Sequence, residues 1–292
     1  MATVKIESRF TPTHLKIIHN FGRELLTTPR IPVATFHRTY KPYRRRKTTD
    51  DLIRDAFHEK LLLGPYLFCN NNLEVYLLEG DDIPFGLYEE KKKNPKTTTV
   101  SVMSGDWKLL WICRGASTLE YANVIYPTYP GVSKLENLTL NQKGKIMRDP
   151  FPHCWDDLDW KIYNEMRSIR KYSLVKIGEK LGYSWKTIGK RFRKIMEQCK
   201  ILLSFFPDGY LFYDDVLLTF ETKYEIGLEN ALQYIDRTTY LWKLGDLILL
   251  MLHIPLYESQ KKVLNRFAEF QEMGLIRHLK VSTPIRTHSG VV

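Results

Sequence analysis

The chain lacks long apolar runs, clustered cysteines, a glycine-rich phosphate loop and any surplus of acid, and each absence removes a class of protein. A membrane-spanning helix needs about 18 or more apolar residues in succession. The longest apolar stretch here, residues 247–252, is only the length of a strand. The opening residues MATVKIESRF carry no apolar core, which argues against a secretory signal. Cys69, Cys113, Cys154 and Cys199 stand far apart with no CxxC, so neither a disulfide framework nor a zinc site is expected. A reducing cytoplasm fits that usage. The histidines have no partners at a recognisable catalytic spacing, so the expectation is no enzyme, no cofactor and no metal. The acidic pairs Asp81-Asp82, Asp156-Asp157 and Asp214-Asp215 fall where elements should begin, and they read as caps.

What is present is a foldable, basic chain. Its 292 residues suggest about two domains. Aromatic residues make up 13%, too many for global disorder. Lysine and arginine number 44 against 33 acids, a net charge of +11, which favours polyanionic partners, nucleic acid first.

Three pairs of segments match in the same order, which indicates an internal duplication. LKII at residues 15–18 matches WKIY at 160–163, HEKLLL at 58–63 matches QCKILL at 198–203, and SGDWKLL matches LGDLILL around Gly105-Asp106 and Gly245-Asp246. The second and third matches are 140 residues apart and the first 145, so the first copy holds five extra residues, placed near residues 41–47.

Each copy reads as three helices followed by a β-α-β-β-α-β order. In the second copy, Leu158, Ile162, Met166 and Ile169 recur at helical spacing. Ser173 caps a helix that buries Ile177 and Leu181, Gly182 turns, and Ser184 caps a helix that buries Ile188 and Phe192. A tight glycine turn between two such helices is a helix-turn-helix pattern. Strands follow at 211–220, 238–243, 247–254 and 275–281, with helices at 225–235 and 257–273. In the first copy, helices hold Leu15 to Leu25, Val33 to Tyr40, and Leu52 to Phe57, the last capped by Thr48 or Thr49. Strands are expected at 73–78, 97–103, 108–113 and 134–140, with helices at 83–92 and 117–125. The fold class is therefore α+β. Its segments are a degenerate first helix-turn-helix (1–65), a first ferredoxin-like domain (66–140), a linker (141–156), a second helix-turn-helix (157–205) and a second ferredoxin-like domain (206–292).

The stretch 158–198, LDWKIYNEMRSIRKYSLVKIGEKLGYSWKTIGKRFRKIMEQ, resembles the DNA-binding region of the Lrp/AsnC family, the leucine-responsive and asparagine-synthase regulators. The unit after it, with Gly245-Asp246 in its central hairpin, is similar to that family's effector and assembly domain. The resemblance implies a bacterial or archaeal, sequence-specific regulator of transcription. It implies a winged or simple helix-turn-helix, assembly through the sheets as a homodimer or higher, and a small-molecule effector such as an amino acid near Gly245, Asp246, Gly105 and Asp106. By themselves those four residues read as hairpin turns. The sheets of a duplicated chain could also pair within it.

With Ile188 inward, Lys186, Lys190 and Arg193 project from the opposite face of the last helix, flanked by Thr187 and Lys194 and preceded by Ser184 and Trp185. Such residues suit the major groove of double-stranded DNA. Arg191 lies nearer the core, where a phosphate contact and a structural ion pair are equal readings. Arg44, Arg45, Arg46 and Lys47 form a basic run suited to phosphates. The first copy's equivalent helix carries Asp50, Asp51, Asp55 and Glu59, so the second copy is expected to do the reading. An alternative is a siroheme decarboxylase-like tetrapyrrole enzyme on the same scaffold. Such enzymes are expected to use His and Arg in the ferredoxin-like domain, and strands 97–103 and 238–243 lack that cluster. A further alternative is an assembly protein that binds no DNA. No membrane partner is expected.

Overall fold

The computed structural model describes residues 9–289. The chain is mixed α and β with antiparallel sheets, and it divides into two compact units, each drawn from both halves of the sequence. One unit takes the chain up to Cys69 together with Pro150–Leu211, and the other takes Asn70–Asp149 together with Phe212 onward. Among the described residues no helix is long and apolar enough to cross a membrane.

The first unit is mostly helical. Helices α1 (Pro12–Thr27), α2 (Val33–Tyr40) and α3 (Arg46–His58) come from the first half. Thr11 caps α1 reciprocally with His14, and Pro12 sits in the first turn where its missing N–H costs nothing. Ile18, Phe21, Leu25, Phe36, Ile53 and Ala56 are buried, with Phe21 and Phe36 edge to face at 5.1 Å. From the second half come α5 (Asp157–Met166), α6 (Leu174–Leu181) and α7 (Trp185–Met196). Ser173 caps α6 and Ser184 caps α7, and between them Gly182 takes the left-handed conformation at φ 75°. Ile162, Met166, Ile169, Ile177, Ile188 and Phe192 share one core.

Strands β1 (Leu62–Phe68) and β6 (Lys200–Phe205) follow the two helix sets and pair with each other, antiparallel. HEKLLL ends in β1 and QCKILL runs into β6. Periodicity alone does not assign such segments, because a short apolar run looks the same in a strand and in a buried helix. Two arginines 140 residues apart make an exchange of the same kind. Arg30 donates to the Ile169 carbonyl at 2.7 Å, and Arg170 donates to the Ile31 carbonyl at 2.9 Å.

The second unit is one eight-stranded sheet. The first half supplies β2 (Leu73–Leu78), β3 (Thr97–Gly105), β4 (Leu109–Arg114) and β5 (Tyr121–Ile125), with α4 (Phe85–Lys93) after β2. The second half supplies β7 (Tyr213–Thr222), β8 (Thr239–Leu244), β9 (Leu247–Pro255) and β10 (Ile276–Ser289), with α8 (Glu225–Leu232) and α9 (Gln260–Glu272) between them. The order across the sheet is β2-β4-β3-β10-β7-β9-β8-β5, antiparallel throughout. The two halves meet twice, at β3–β10 and at β8–β5. A backbone bond from Leu119 N to Leu73 O, at 3.0 Å, brings the two ends of the sheet together. The main core lies between the second-half strands and α8 and α9, with Phe220, Leu228, Leu250, Phe267 and Phe270 fully buried.

Several expectations are corrected. Residues 117–125 were expected to be helical, but β5 is a strand. Its Tyr, Val and Ile suit a strand, and the open edge of β8 offers five residues of pairing. Residues 134–140 form a short 3-10 turn, Leu135–Asn137, and not a strand. Leu135, Leu138 and Leu140 are buried in the second-half core instead. β10 continues beyond residue 281 to Ser289, because β3 pairs with that extension. Within the basic run at Arg44–Lys47, Arg46 and Lys47 begin α3. Thr49 does not cap; it is buried and bonded to His37 at 2.8 Å.

The two matched hairpin glycines differ in strain. Gly105 has φ 123°, and a Cβ there would lie 2.3 Å from the Val281 carbonyl oxygen. Gly245 has φ 58° with open space around it. In urea denaturation, Gly105→Ala is therefore expected to cost about 2–4 kcal/mol, and Gly245→Ala about 1 kcal/mol. Equal losses would show that the β3–β10 contact tolerates a side chain.

Candidate functional site

Two places gather charge in a way that packing alone does not require, one in each unit.

In the helical unit a cleft of about 710 Å³ runs between the α1–α2 connection and the outer face of α7. Thr27, Thr28, Pro29 and Arg30 form one wall, and Trp185, Lys186, Gly189, Lys190, Arg193 and Met196 form the other, with Leu174 and Phe192 beneath. Helical spacing puts the α7 set on one face, because residues three and four apart lie side by side. Gly189 lets α6 come close: a Cβ there would meet Leu174 Cδ1 at 3.3 Å. Trp185 is 53% exposed, with the Lys186 ammonium 5.8 Å from its ring centre. Among the described residues, Arg30, Lys186, Lys190 and Arg193 form no ion pair, and no acid lines the cleft. Arg30 is held by the Ile169 and Tyr172 carbonyls, and burial lowers its pKa. Burial also lowers the pKa of Arg170, and the charge of Arg30 lowers it further.

The residues assigned to DNA from sequence thus divide. Trp185, Lys186, Lys190 and Arg193 face the cleft. Ser184 and Thr187 bond each other at 2.9 Å in the cap of α7. Arg191 resolves as a structural ion pair, with Asp156 at 2.6 Å and the buried Asp159 at 2.9 Å. Lys194 donates to the Cys154 carbonyl at 2.7 Å. Arg44, Arg45, Arg46 and Lys47 are exposed, and Arg46 pairs with Asp50 at 3.3 Å. The first-copy acids are matched locally: Asp51 by Arg54, and Asp55 and Glu59 by Arg9.

The residues assigned to an effector have local uses. The Asp106 carboxylate accepts from Val281 N at 2.6 Å, and its own N–H donates to Val281 O, fastening the β3–β4 turn to β10. Gly245 turns the β8–β9 hairpin, and Asp246 pairs with Lys145 at 2.6 Å.

In the sheet unit, sequence reading missed a buried charged group. Arg237 is 3% exposed and precedes β8. Its guanidinium meets Asp236 at 2.8 Å and Glu258 at 2.5 Å, and its Nε donates to the His253 carbonyl at 2.7 Å. Burial opposes the charge on Arg237, but the two carboxylates more than offset that, and its pKa is raised. His253, on β9, is buried with Nδ1 at 2.7 Å from Asp215. Tyr240 packs edge-on against the imidazole at 4.8 Å. Asp215 lies within β7 and serves this histidine, so the reading of it as a cap is withdrawn. A carboxylate behind an imidazole fixes its tautomer and stabilises the imidazolium, as a proton donor or acceptor requires. His253 lies in the strand expected at 247–254 and Arg237 just before the one expected at 238–243, and the β7–β9–β8 order brings them together with Asp215.

A second buried ion pair, Lys243 with Glu225 at 2.6 Å, also holds the 141–149 stretch. Lys243 donates to the Ile146 carbonyl and Ile146 N donates to Glu225. All four cysteines are free thiols, and Cys69 and Cys199, distant in sequence, are in side-chain contact. Among the described residues no group of three His, Cys, Asp or Glu side chains could hold a metal ion.

The fold and these two places define a mixed α+β chain with a helical unit and an antiparallel sheet unit. No protein-family profile and no curated protein matches it. Two solved structures are similar. One is the crystal structure of the siroheme decarboxylase NirDL, with a TM-score of 0.54 and 8% identity, covering 96% of this chain and 93% of that one. The other is NirDL in co-complex with an iron-uroporphyrin III analogue, with a TM-score of 0.52 and 7% identity, covering 95% and 93%. At that identity the likeness is one of fold. It overturns the expectation that the chain is no enzyme, because the architecture it shares is that of a decarboxylase.

Removing Arg191 would leave Asp159, whose side chain is 1% exposed, with the Asp156 N–H at 3.3 Å and Lys194 at 3.7 Å. Arg191→Ala is expected to lower the stability of the full chain by about 1–3 kcal/mol, read by chemical denaturation. Hydrogen bonding from Arg191 holds the pKa of Asp156 below its ordinary 3.8. That contribution is present above the ordinary value and disappears as pH falls through the lowered one, so the difference between wild type and Arg191→Ala should shrink in strong acid. A constant difference down to that range would contradict the pairing.

Proposed function

We propose that this chain is a tetrapyrrole-processing enzyme of the siroheme decarboxylase kind, built on duplicated Lrp/AsnC-like modules. The observation that carries the reading is the likeness to NirDL, which runs through 96% of the chain and so includes both units. The buried group around His253 and Arg237 supports it, since the lack of a His and Arg cluster was the sequence-based argument against such an enzyme. In this reading each half contributes a helix-turn-helix and part of a ferredoxin-like sheet. The strand orders β2-β4-β3 and β10-β7-β9-β8 are what such a pair gives when one strand of the first half crosses to the other end.

Loss of CO2 from a carboxylated side chain breaks one C–C bond and leaves a carbon that must take up a proton. His253, backed by Asp215, is the group suited to supply it. Arg237 is fully engaged by Asp236, Glu258 and the His253 carbonyl, so it positions the histidine and does not bind substrate. Titration with siroheme is expected to shift its visible absorption, and mass spectrometry to detect a decarboxylated product. His253→Gln should lower turnover by about 10²–10⁴-fold while the spectral shift on binding persists. No spectral change at saturating siroheme would sink the reading, and full activity in His253→Gln would remove the histidine from it.

Contact of α7 with double-stranded DNA is a second reading. One observation favours it: three exposed cations, Lys186, Lys190 and Arg193, share a face of a capped helix and meet no described carboxylate. If they contact bases, Lys186→Ala with Lys190→Ala should relax sequence specificity and cost about 1–3 kcal/mol per base contact, measured by titration of labelled duplexes. Equal affinity of wild type and variant for every duplex would exclude it.

A further inference from the structure

The cleft along α7 has walls of two different kinds. Its floor and ends are apolar, from Pro29, Leu174, Phe192 and Met196, while its rim carries Arg30, Lys186, Lys190 and Arg193. A surface meant only to stay in water needs no apolar floor. A surface meant only for packing does not leave four cations without a carboxylate.

We infer that the cleft binds a small, flat, aromatic polyanion. Its volume, about 710 Å³, lies in the range of small-molecule sites, roughly 300–1,000 Å³. The Trp185 ring and the guanidinium planes of Arg30 and Arg193 are surfaces on which a planar π system stacks. Guanidinium and ammonium groups around the rim match carboxylates or phosphates at the edge of such a molecule. Arg30 is held in place before any ligand arrives, by the Ile169 and Tyr172 carbonyls, and Arg170 beside it adds to the positive potential. Both arginines are partly removed from water without a counter-ion among the described residues, and an anionic ligand would supply one. The α1–α2 connection stands across the face of α7 that would otherwise enter a groove, which fits a bounded ligand better than a duplex. The same chemistry could come from a carboxylated tetrapyrrole or from a purine nucleotide. The site is separate from His253 and does not rest on the decarboxylase reading.

The test uses the full chain with three probes: uroporphyrin, followed by its fluorescence anisotropy, ATP, followed by calorimetry, and a labelled DNA duplex. Uroporphyrin or ATP is expected to bind, and whichever does identifies the source. Lys190→Glu with Arg193→Glu should weaken that binding by about tenfold or more, and His253→Gln should leave it unchanged. Gly189→Leu fills the floor without altering charge and should weaken it too. Circular dichroism melting confirms that each variant is folded, and Lys186→Gln serves where the double reversal is not. Binding of neither probe overturns the proposal, as does binding that survives both the reversal and Gly189→Leu. A duplex that binds more tightly than either probe, and loses affinity with the same variants, gives the face to nucleic acid and also overturns it. Uroporphyrin binding lost in His253→Gln but kept in the cleft variants places that ligand in the sheet unit and overturns the cleft assignment alone.

Discussion

Backbone pairing between the two halves of the chain is the constraint on which the rest depends. The second half supplies four contiguous strands, β10-β7-β9-β8, but the first half's set is broken. The strand that would finish the first half's set, β5, pairs with β8 of the second half, and β10 of the second half pairs with β3 of the first. An unpaired strand edge would leave a row of N–H and C=O groups needing partners, and the exchange covers two such edges inside one chain. The same thing happens on a smaller scale in the helical unit, where β1 pairs with β6 on one side and bonds residues 167–169 on the other. Each pairing joins residues far apart in sequence, so each unit as it stands draws on both halves. The strain at Gly105 and the clasp of Asp106 on Val281 belong to this constraint, because they lie where β3 meets β10.

The two halves are alike in the order of their helices and strands and unlike in charge. Arg30 and Arg170 preserve the symmetry, each reaching a carbonyl of the opposite half. The third helices do not. On α3 the acids pair with nearby arginines and the surface is nearly neutral. On α7, Lys186, Lys190 and Arg193 meet no described carboxylate, while Arg191 and Lys194 tie the helix to the start of α5. In the sheet unit the charges are buried instead and matched one by one, Arg237 by Asp236 and Glu258, and Lys243 by Glu225. A buried pair of this kind adds little net stability, but losing one partner is costly, so such pairs fix geometry more than they add energy. That suits a histidine whose orientation matters.

By itself the sequence determined what depends on neighbours along the chain. Helical spacing, the caps at Ser173 and Ser184 and the turn at Gly182 specify α6 and α7, because a helix closes its hydrogen bonds within four residues. The outward face of Lys186, Lys190 and Arg193 follows from the same periodicity. Tertiary structure decided everything that depends on a partner strand. Residues 121–125 hold strand-forming Tyr, Val and Ile, but the pairing that makes them a strand is with β8, from the other half. Residues 200–205 are a strand because β1 lies beside them. The wall of the cleft opposite α7, and the meeting of Asp215, His253 and Arg237, join residues from separate elements at no fixed spacing. Local pattern carries no record of such meetings, since strand pairing is settled by which edges remain open once the rest of the chain has folded.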